Sequence, residues 1–297
     1  MESSEAVNGK LTSPAVVKRI LDRHGIILKH SLGQNLLVDE NILKKILAYA
    51  ELRPTDHVLE IGAGIGTLTA ALAGHCETVV AIEVDGRMIP VLQENISPYS
   101  NVVIIKADAA RQDFRALMRD HGSGKAWKVV SNLPYGITSP VILNLLRAGD
   151  PIQKMVLMVQ KEVARRIAAP SGSKEYGFLS VACQFKARVR VVATVAPAAF
   201  MPPPEVDSAI VVLDVKEKTW TDAEEEMLFK VVGEAFRYRR KTIVNALARS
   251  WGREAAEAAC REAGIDPGRR GETLSLEEFM RVSRGIGTKF ANEPRRC

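Results

Sequence analysis

An amide, a proline and an aromatic stand together at Asn132-Leu133-Pro134-Tyr135, directly after an apolar run, Trp127 to Ser131, that reads as a buried strand ending in a sharp loop. Such a set suits a flat base with an exocyclic amine. That amine is a poor nucleophile, because its lone pair is delocalised into the ring. Acceptors placed on its two N–H groups draw the nitrogen towards tetrahedral geometry. Asn132 can supply one acceptor through its side-chain oxygen. The backbone carbonyl of Leu133 can supply the other, preorganised because Pro134 fixes its own φ and restricts the residue before it. Tyr135 can stack on the base. No strong general base is required, since the amine becomes acidic once alkylated; alignment and local electrostatics carry the rate. A stacked base must first leave its helix to be reached. Phe200, which precedes Met201-Pro202-Pro203-Pro204-Glu205, is a candidate for the opposite face of that base, and reads equally as a core anchor for the Pro-rich turn.

A second motif lies upstream, where the apolar strand His57–Ile61 runs into Gly62-Ala63-Gly64-Ile65-Gly66. Glycines there let the backbone turn tightly and approach a ligand that any Cβ would obstruct. The spacing alone is shared with nicotinamide enzymes and with purely structural turns. Glu83 ends the next strand, 19 residues past Gly64, where a carboxylate can accept from both ribose hydroxyls. Asp108 ends the third strand and can meet an adenine amine; either acid taken alone reads equally as a helix cap. Asn35 and Leu37 precede the first strand and can close over the ligand. The two motifs together point to methyl transfer from S-adenosylmethionine to the amino group of an adenine.

The elements that must hold these residues alternate. Strands are expected at His57–Ile61, Thr78–Glu83, Val102–Lys106, Lys128–Ser131 and Lys154–Val159, with helices between them, which is the rhythm of a mostly parallel sheet covered on both faces. Ahead of them, Pro14 opens a helix over Ala15–His24, and Asp39 caps another over Glu40–Ala50. After a helix at Lys161–Ala168, two long strands, Arg188–Val195 and Ser208–Val215, fit an antiparallel closure of the sheet. The remainder is helical, with capping boxes at Thr221–Glu224 and Ser275–Glu278. The expected organisation is a disordered stretch over residues 1–12, an α/β Rossmann-like catalytic domain over 13–215, and a small all-helical RNA-docking domain with a short tail over 216–297.

The formal net charge is +6, and the span Arg147–Arg190 alone carries an excess of six, with nine Lys/Arg against three Asp/Glu. From Phe200 onward the balance is 17 to 17. A basic band close in sequence to the Asn132 loop suits a phosphate-rich partner, although a solvated helix face has the same composition. Four scattered cysteines and five histidines without ligand spacing argue against a metal site and a disulfide scaffold. No run reaches membrane-spanning length, and the polar start is no signal peptide, so a cytoplasmic protein is expected; it is also expected to be a monomer.

Glu60-Ile61-Gly62-Ala63-Gly64-Ile65-Gly66-Thr67-Leu68-Thr69, the Asn132 tetrapeptide and Phe200-x-Pro202-x-Pro204-x-Val206-x-Ser208 resemble the rRNA adenine N6,N6-dimethyltransferase family. Lys29-x-Ser31-Leu32-Gly33-Gln34-Asn35, Gln160-Lys161-Glu162-Val163-Ala164 and Phe236-x-x-Arg239-Arg240-Lys241 extend the likeness over residues 14 to 285. Its bacterial KsgA-type branch is the most similar. That resemblance implies S-adenosylmethionine contacts at Asn35, Leu37, Gly62, Glu83, Asp108 and Asn132. It also implies dimethylation of two adjacent adenines in the 3′-terminal hairpin loop of 16S rRNA within a small-subunit precursor. Leu36 stands where the family often has Phe, and Gly136 where Asn is common. Arg165, Arg166, Arg237, Arg239, Arg240 and Lys241 are candidate phosphate contacts, the last four too crowded for one helix face. The sister enzymes that modify large-subunit rRNA share the chemistry. From other classes, a nicotinamide dehydrogenase leaves the Asn132 loop unexplained, and a non-catalytic ribosome-assembly factor would not need it.

Overall fold

The computed structural model of the protein describes residues 10–28, 33–122, 124–149 and 151–290. Residues 1–9 of the expected disordered start, Lys29, Ser31 and Leu32 of the loop motif, and the tail from residue 291 lie outside the described residues. Residues 10–12 are not disordered. Lys10 pairs with Glu40 at 2.8 Å, and Leu11 packs on the apolar side of the first helix.

The strands are β1 (Leu36–Leu37), β2 (His57–Ile61), β3 (Thr78–Glu83), β4 (Val102–Lys106), β5 (Trp127–Asn132), β6 (Ile152–Gln160), β7 (Ala187–Val195), β8 (Phe200–Met201) and β9 (Ser208–Val215). Seven of them form one sheet in the order β4-β3-β2-β5-β6-β9-β7; β1 and β8 pair separately. The first five of that order run parallel, and β9 is antiparallel to β6 from Lys154↔Asp214 to Gln160↔Ser208. The central strands are buried on both faces, as in β2, where all five residues are inaccessible. This is why they read as unbroken apolar runs rather than alternating ones.

Helices α1 (Pro14–Arg23), α2 (Glu40–Ala50), α3 (Thr67–Ala73), α4 (Met88–Ile96), α5 (Phe114–Gly122) and α6 (Thr138–Ala148) accompany this sheet. Asp39 caps α2 by accepting from the Asn41 and Ile42 nitrogens at 2.8 and 3.1 Å. After β2 the chain builds outward through β3 and β4, then returns to the other side of β2 with β5. The switch point of the sheet therefore lies between β2 and β5. Their register runs only from His57↔Trp127 to Leu59↔Val129, whereas β2 and β3 stay paired to Ile61↔Ile82. Past Leu59 the Ile61 nitrogen donates instead to the buried Ser131 Oγ at 2.8 Å. A side chain thus replaces a backbone acceptor, and the strands part at their carboxyl ends.

The chain forms two compact units. One comprises residues up to Ala164 with Arg188–Val215; the other comprises Arg165–Ala187 with residues from Lys216 onward. The division falls within α7 (Lys161–Ala168). Residues 165–187, grouped by sequence with the catalytic domain, therefore belong to the helical unit. The reason is α8 (Phe178–Lys186), whose Val181 and Phe185 join a core with residues of α9 (Asp222–Arg237), α10 (Ile243–Trp251), α11 (Arg253–Glu262) and α12 (Leu276–Phe290). The capping boxes at Thr221 and Ser275 are both formed. No helix among the described residues is long and apolar enough to cross a membrane.

Candidate functional site

A cleft of about 870 Å³, counting its open mouth, occupies the carboxyl ends of the strands where β2 and β5 separate. Its size suits a nucleoside-sized ligand. Asn35, Leu37, Gly62, Gly64, Glu83, Asp108, Asn132 and Pro134 all line it, so every residue expected to touch the cofactor meets there, together with one side of the acceptor loop.

The floor is the glycine turn. Gly62 has φ +79°, and a Cβ on it would stand 3.0 Å from Pro134 Cγ. The turn therefore needs glycine both for its conformation and for its approach to the acceptor loop. At Gly64 a Cβ would stand 2.9 Å from Leu36 Cδ2, so the leucine at this position covers the glycine loop directly. Gly136, the other departure from the family pattern, is exposed with nothing within 4 Å of a would-be Cβ.

Glu83 carries the polar wall. Its Oε2 accepts from the Gly64 nitrogen and its Oε1 from the Asp85 nitrogen, each at 2.8 Å. Each carboxylate oxygen keeps a lone pair for a vicinal diol. Burial pushes the Glu83 carboxyl above its ordinary range, against the pull of those backbone donors. Asp108 is half-exposed and its Oδ1 accepts from the Ala110 nitrogen at 3.0 Å, a cap-like bond, while its Oδ2 lies 3.7 Å from Arg111 Nε.

Glu60 completes the site and was not anticipated from sequence. It lines the same cleft, is 2% exposed, and its Oε2 has no hydrogen-bond partner among the described residues. Burial, with Glu83 nearby, pushes its carboxyl up to about 8. The available signal was an acid inside an otherwise apolar parallel strand. A buried carboxyl with one unpartnered oxygen and a floor that a Cβ would fill fit a ligand that brings positive charge and a ribose, as S-adenosylmethionine does.

On the acceptor side, the Asn132 amide nitrogen donates to the Asn35 carbonyl at 3.0 Å. This fixes the amide and leaves Oδ1 as an acceptor. The Leu133 nitrogen donates to the Met158 carbonyl at 3.0 Å, and the Leu133 side chain is buried. The Pro134 carbonyl accepts from the Ile137 nitrogen and Thr138 Oγ1 at 3.2 and 3.1 Å, which locks the turn into α6. Tyr135 is half-buried, its hydroxyl 2.5 Å from Ser208 Oγ, and burial raises its phenol. Leu133, Tyr135 and Phe200 are not among the residues lining the cleft. Phe200 is 3% exposed, sits opposite Leu37 in the β1–β8 pair and belongs to the sheet's apolar core. Its placement matches the core-anchor alternative rather than an open stacking face.

The candidate phosphate contacts all belong to the helical unit and differ in what they do there. Arg165, Arg166, Arg237, Arg239, Arg240 and Lys241 are exposed. Arg239 is engaged: its Nε donates to Glu272 at 2.5 Å and its Nη2 to the Lys174 carbonyl at 2.8 Å. Arg237 pairs with Glu234 at 3.2 Å. Arg165, Arg240 and Lys241 make no ion pair among the described residues. α9 ends at Arg237, so Arg239, Arg240 and Lys241 stand in the following turn and not on a helix, as their spacing had suggested.

No group of three or more metal-ligating side chains occurs among the described residues. Burial pushes the Cys76 and Cys183 thiols up to about 12 and Cys260 to about 11, so none is a ready nucleophile.

Residues 27–286 match the family model described as ribosomal RNA adenine dimethylase. A curated relative from Shouchella clausii, ribosomal RNA small subunit methyltransferase A, is 44% identical over 283 residues, spanning 93% of this chain and 96% of its own. Among solved structures, a dimethyladenosine transferase from Plasmodium falciparum superposes with a TM-score of 0.68 at 27% identity, covering 83% of this chain and 95% of that one. The 23S rRNA methyltransferase ErmE gives 0.65 at 28% identity, covering 84% and 98%. A match of this extent, on a chain whose glycine loop and Asn132 loop meet in one cleft, shows that the protein belongs to the ribosomal RNA adenine dimethylase family.

Proposed function

We propose that this chain transfers methyl groups from S-adenosylmethionine to the N6 amines of two adjacent adenines in the 3′-terminal hairpin loop of 16S rRNA. It would act as a monomer on a small-subunit precursor in the cytoplasm. The observation that carries the reading is the fixed Asn132 amide, with Oδ1 free to accept, in the same cleft as the glycine floor and Glu83. Bound S-adenosylmethionine supplies an electrophilic methyl on its sulfonium. Glu83 accepts from the ribose hydroxyls, Asp108 meets the adenine amine, and Asn35 and Leu37 cover the ligand beside Gly62 and Gly64. Asn132 Oδ1 and the Leu133 carbonyl accept from the two N–H groups of the target amine and aim its lone pair. Tyr135 stacks on the extruded base. The excess proton leaves after alkylation without a dedicated base.

Small-subunit rather than large-subunit rRNA is favoured by the 44% relative, whose name is a small-subunit one, against 28% for the 23S enzyme. Arg165, Arg166, Arg237, Arg240 and Lys241 are proposed to meet phosphates, with Arg239 holding the turn that presents the last two. The test is incubation with labelled methyl donor and unmethylated small subunits, followed by mapping of the modified nucleotides. Label at two neighbouring adenines near the 16S 3′ end is expected. Label in large-subunit RNA, or none, overturns the reading.

A further inference from the structure

The Asn132 amide is oriented by a backbone carbonyl, Asn35 O, that belongs to a short segment running from Gly33 into β1. A carbonyl can hold an amide only if its own segment is held. This one is anchored at both ends. On the acceptor side, Leu36 and Leu37 pair with Met201 and Phe200, and the Val38 nitrogen donates to the Ala199 carbonyl at 2.8 Å. On the cofactor side, Gln34 Nε2 donates to Asp85 Oδ2 at 2.9 Å. The segment also lies against the acceptor loop, where a Cβ on Gly33 would stand 3.0 Å from the Tyr135 nitrogen.

Asp85 is a firm post. It is 8% exposed, and Arg87 grips it through its backbone nitrogen, Nε and Nη2 at 3.1, 3.0 and 2.5 Å. The same Arg87 reaches the Ile27 carbonyl at 3.2 Å. Asp85's own nitrogen donates to Glu83 Oε1. A continuous path therefore runs from Glu83 through Asp85 and Gln34 to the Asn35 carbonyl and the Asn132 amide. The Arg87 guanidinium holds the Asp85 carboxyl well below the usual carboxylate range, so its acceptor role persists at any working pH.

We propose that Gln34 is a positioning residue for the acceptor amide: its bond to Asp85 holds the Asn35 carbonyl where it fixes Asn132 and turns Oδ1 towards the target amine. This rests on the catalytic reading of Asn132 given above. Gln34 acts through donation to a carboxylate, so the sign of the group at position 34 decides the outcome. Gln34→Glu sets a carboxylate against Asp85 and releases the segment; Gln34→Lys restores a donor. A displacement of about 1 Å at the acceptor is enough to lower a rate on the order of 100-fold.

Two readouts decide it. With the chain labelled at asparagine with nitrogen-15, solvent exchange of the Asn132 side-chain amide is expected to be slow in the wild type and in Gln34→Lys. In Gln34→Glu it should be faster by about tenfold or more. In methylation of small subunits, kcat for Gln34→Glu is expected to fall on the order of 100-fold, and Gln34→Lys to recover at least about a tenth of the wild-type rate. Binding of S-adenosylhomocysteine, measured by calorimetry, should change less than kcat. Equal losses in both variants, or unchanged amide exchange in Gln34→Glu, overturn the proposal. If Gln34→Glu does not fold, Gln34→Ala takes its place against Gln34→Lys. Should the wild type methylate no small-subunit adenine, the catalytic reading fails while the exchange readout still decides the role of Gln34.

Discussion

The two ends of the β2–β5 seam are built from the same pair of strands and put their buried polar groups to different use. At the amino end the strands are fully paired, and the buried Lys128 is satisfied from within: its Nζ donates to the Glu51 carbonyl at 2.5 Å and meets Asp56 at 2.8 Å. Lys154 on the next strand pairs with Glu51 at 2.5 Å and Asp214 at 3.5 Å. At the carboxyl end the strands part, Glu60 keeps an unpartnered oxygen, and Asn132 is held by its nitrogen with its oxygen left over. Both ends leave buried polar atoms without a hydrogen-bond partner among the described residues, His57 Nδ1 and Trp127 Nε1 at the amino end and a Glu60 oxygen at the other, but only Glu60 and Asn132 line a cleft. Both ends contain buried ionisable groups and incomplete partners, so neither property alone tells them apart; opening onto a cleft does.

Substitutions at each end should therefore fail differently. The largest effect is expected for Asn132→Ala, which should lower methylation by about 100- to 1,000-fold in single-turnover assays while the melting temperature stays at the wild-type value. A mutant that methylates at near wild-type rate would break the contrast at its functional end. Lys128→Met should do the reverse. Removing one partner of a nearly buried pair leaves the Asp56 carboxylate without its cation, held by the Arg53 nitrogen at 2.7 Å, and costs about 3 kcal/mol in denaturant titration, with kcat per folded molecule kept. Unchanged stability there would show that the amino end is not the foundation its contacts imply.

Glu60 sharpens the comparison through pH. Its carboxyl titrates at about 8 in the folded chain against an ordinary 4.5 when unfolded. Between those values the folded state binds a proton that the unfolded state lacks. Stability therefore falls as pH rises through that window and levels off above it. Glu60→Gln should remove the slope, its advantage over the wild type growing from pH 4.5 to 8, by a few kcal/mol at most. The same protonation makes uptake of a cationic ligand release a proton, so calorimetry in buffers of different ionisation heat should show release that vanishes in Glu60→Gln. The smallest effect is reserved for a change that touches neither end. Arg240→Gln with Lys241→Gln should reduce the salt slope of RNA binding by about 1 to 2 and leave S-adenosylhomocysteine affinity alone.

Much of this was legible in the chain before folding. The central strands, the glycine turn and the acids at two strand ends follow from runs of apolar residues punctuated at regular distances, and parallel burial makes such runs conspicuous. What escaped has physical causes. α8 is buried on most sides, with Ser180, Val181, Ala182, Cys183 and Phe185 inaccessible, so its 3.6-residue period leaves no polar face to read. β1 and β8 are two residues each, paired across more than 160 positions, and nothing local announces such a bond. The ambiguity at Phe200 was between a face offered to a base and an anchor for the Pro-rich turn, which composition cannot separate; its burial within the sheet's apolar core matches the anchor. Arg239 looked like its neighbours Arg240 and Lys241, and only Glu272, 33 residues on, distinguishes it.

The pairing of β1 with β8 also sets an order of events during synthesis. Leu36 and Leu37 leave the ribosome early, but the strand that fastens them, Phe200–Met201, emerges only after nearly the whole sheet has been made. A nascent chain therefore carries its donor loop and its acceptor tetrapeptide well before it has a closed vestibule between them. The cover beside the donor loop is thus the part of the vestibule whose two halves lie farthest apart along the chain, and it can be fastened only once Phe200 and Met201 have been made.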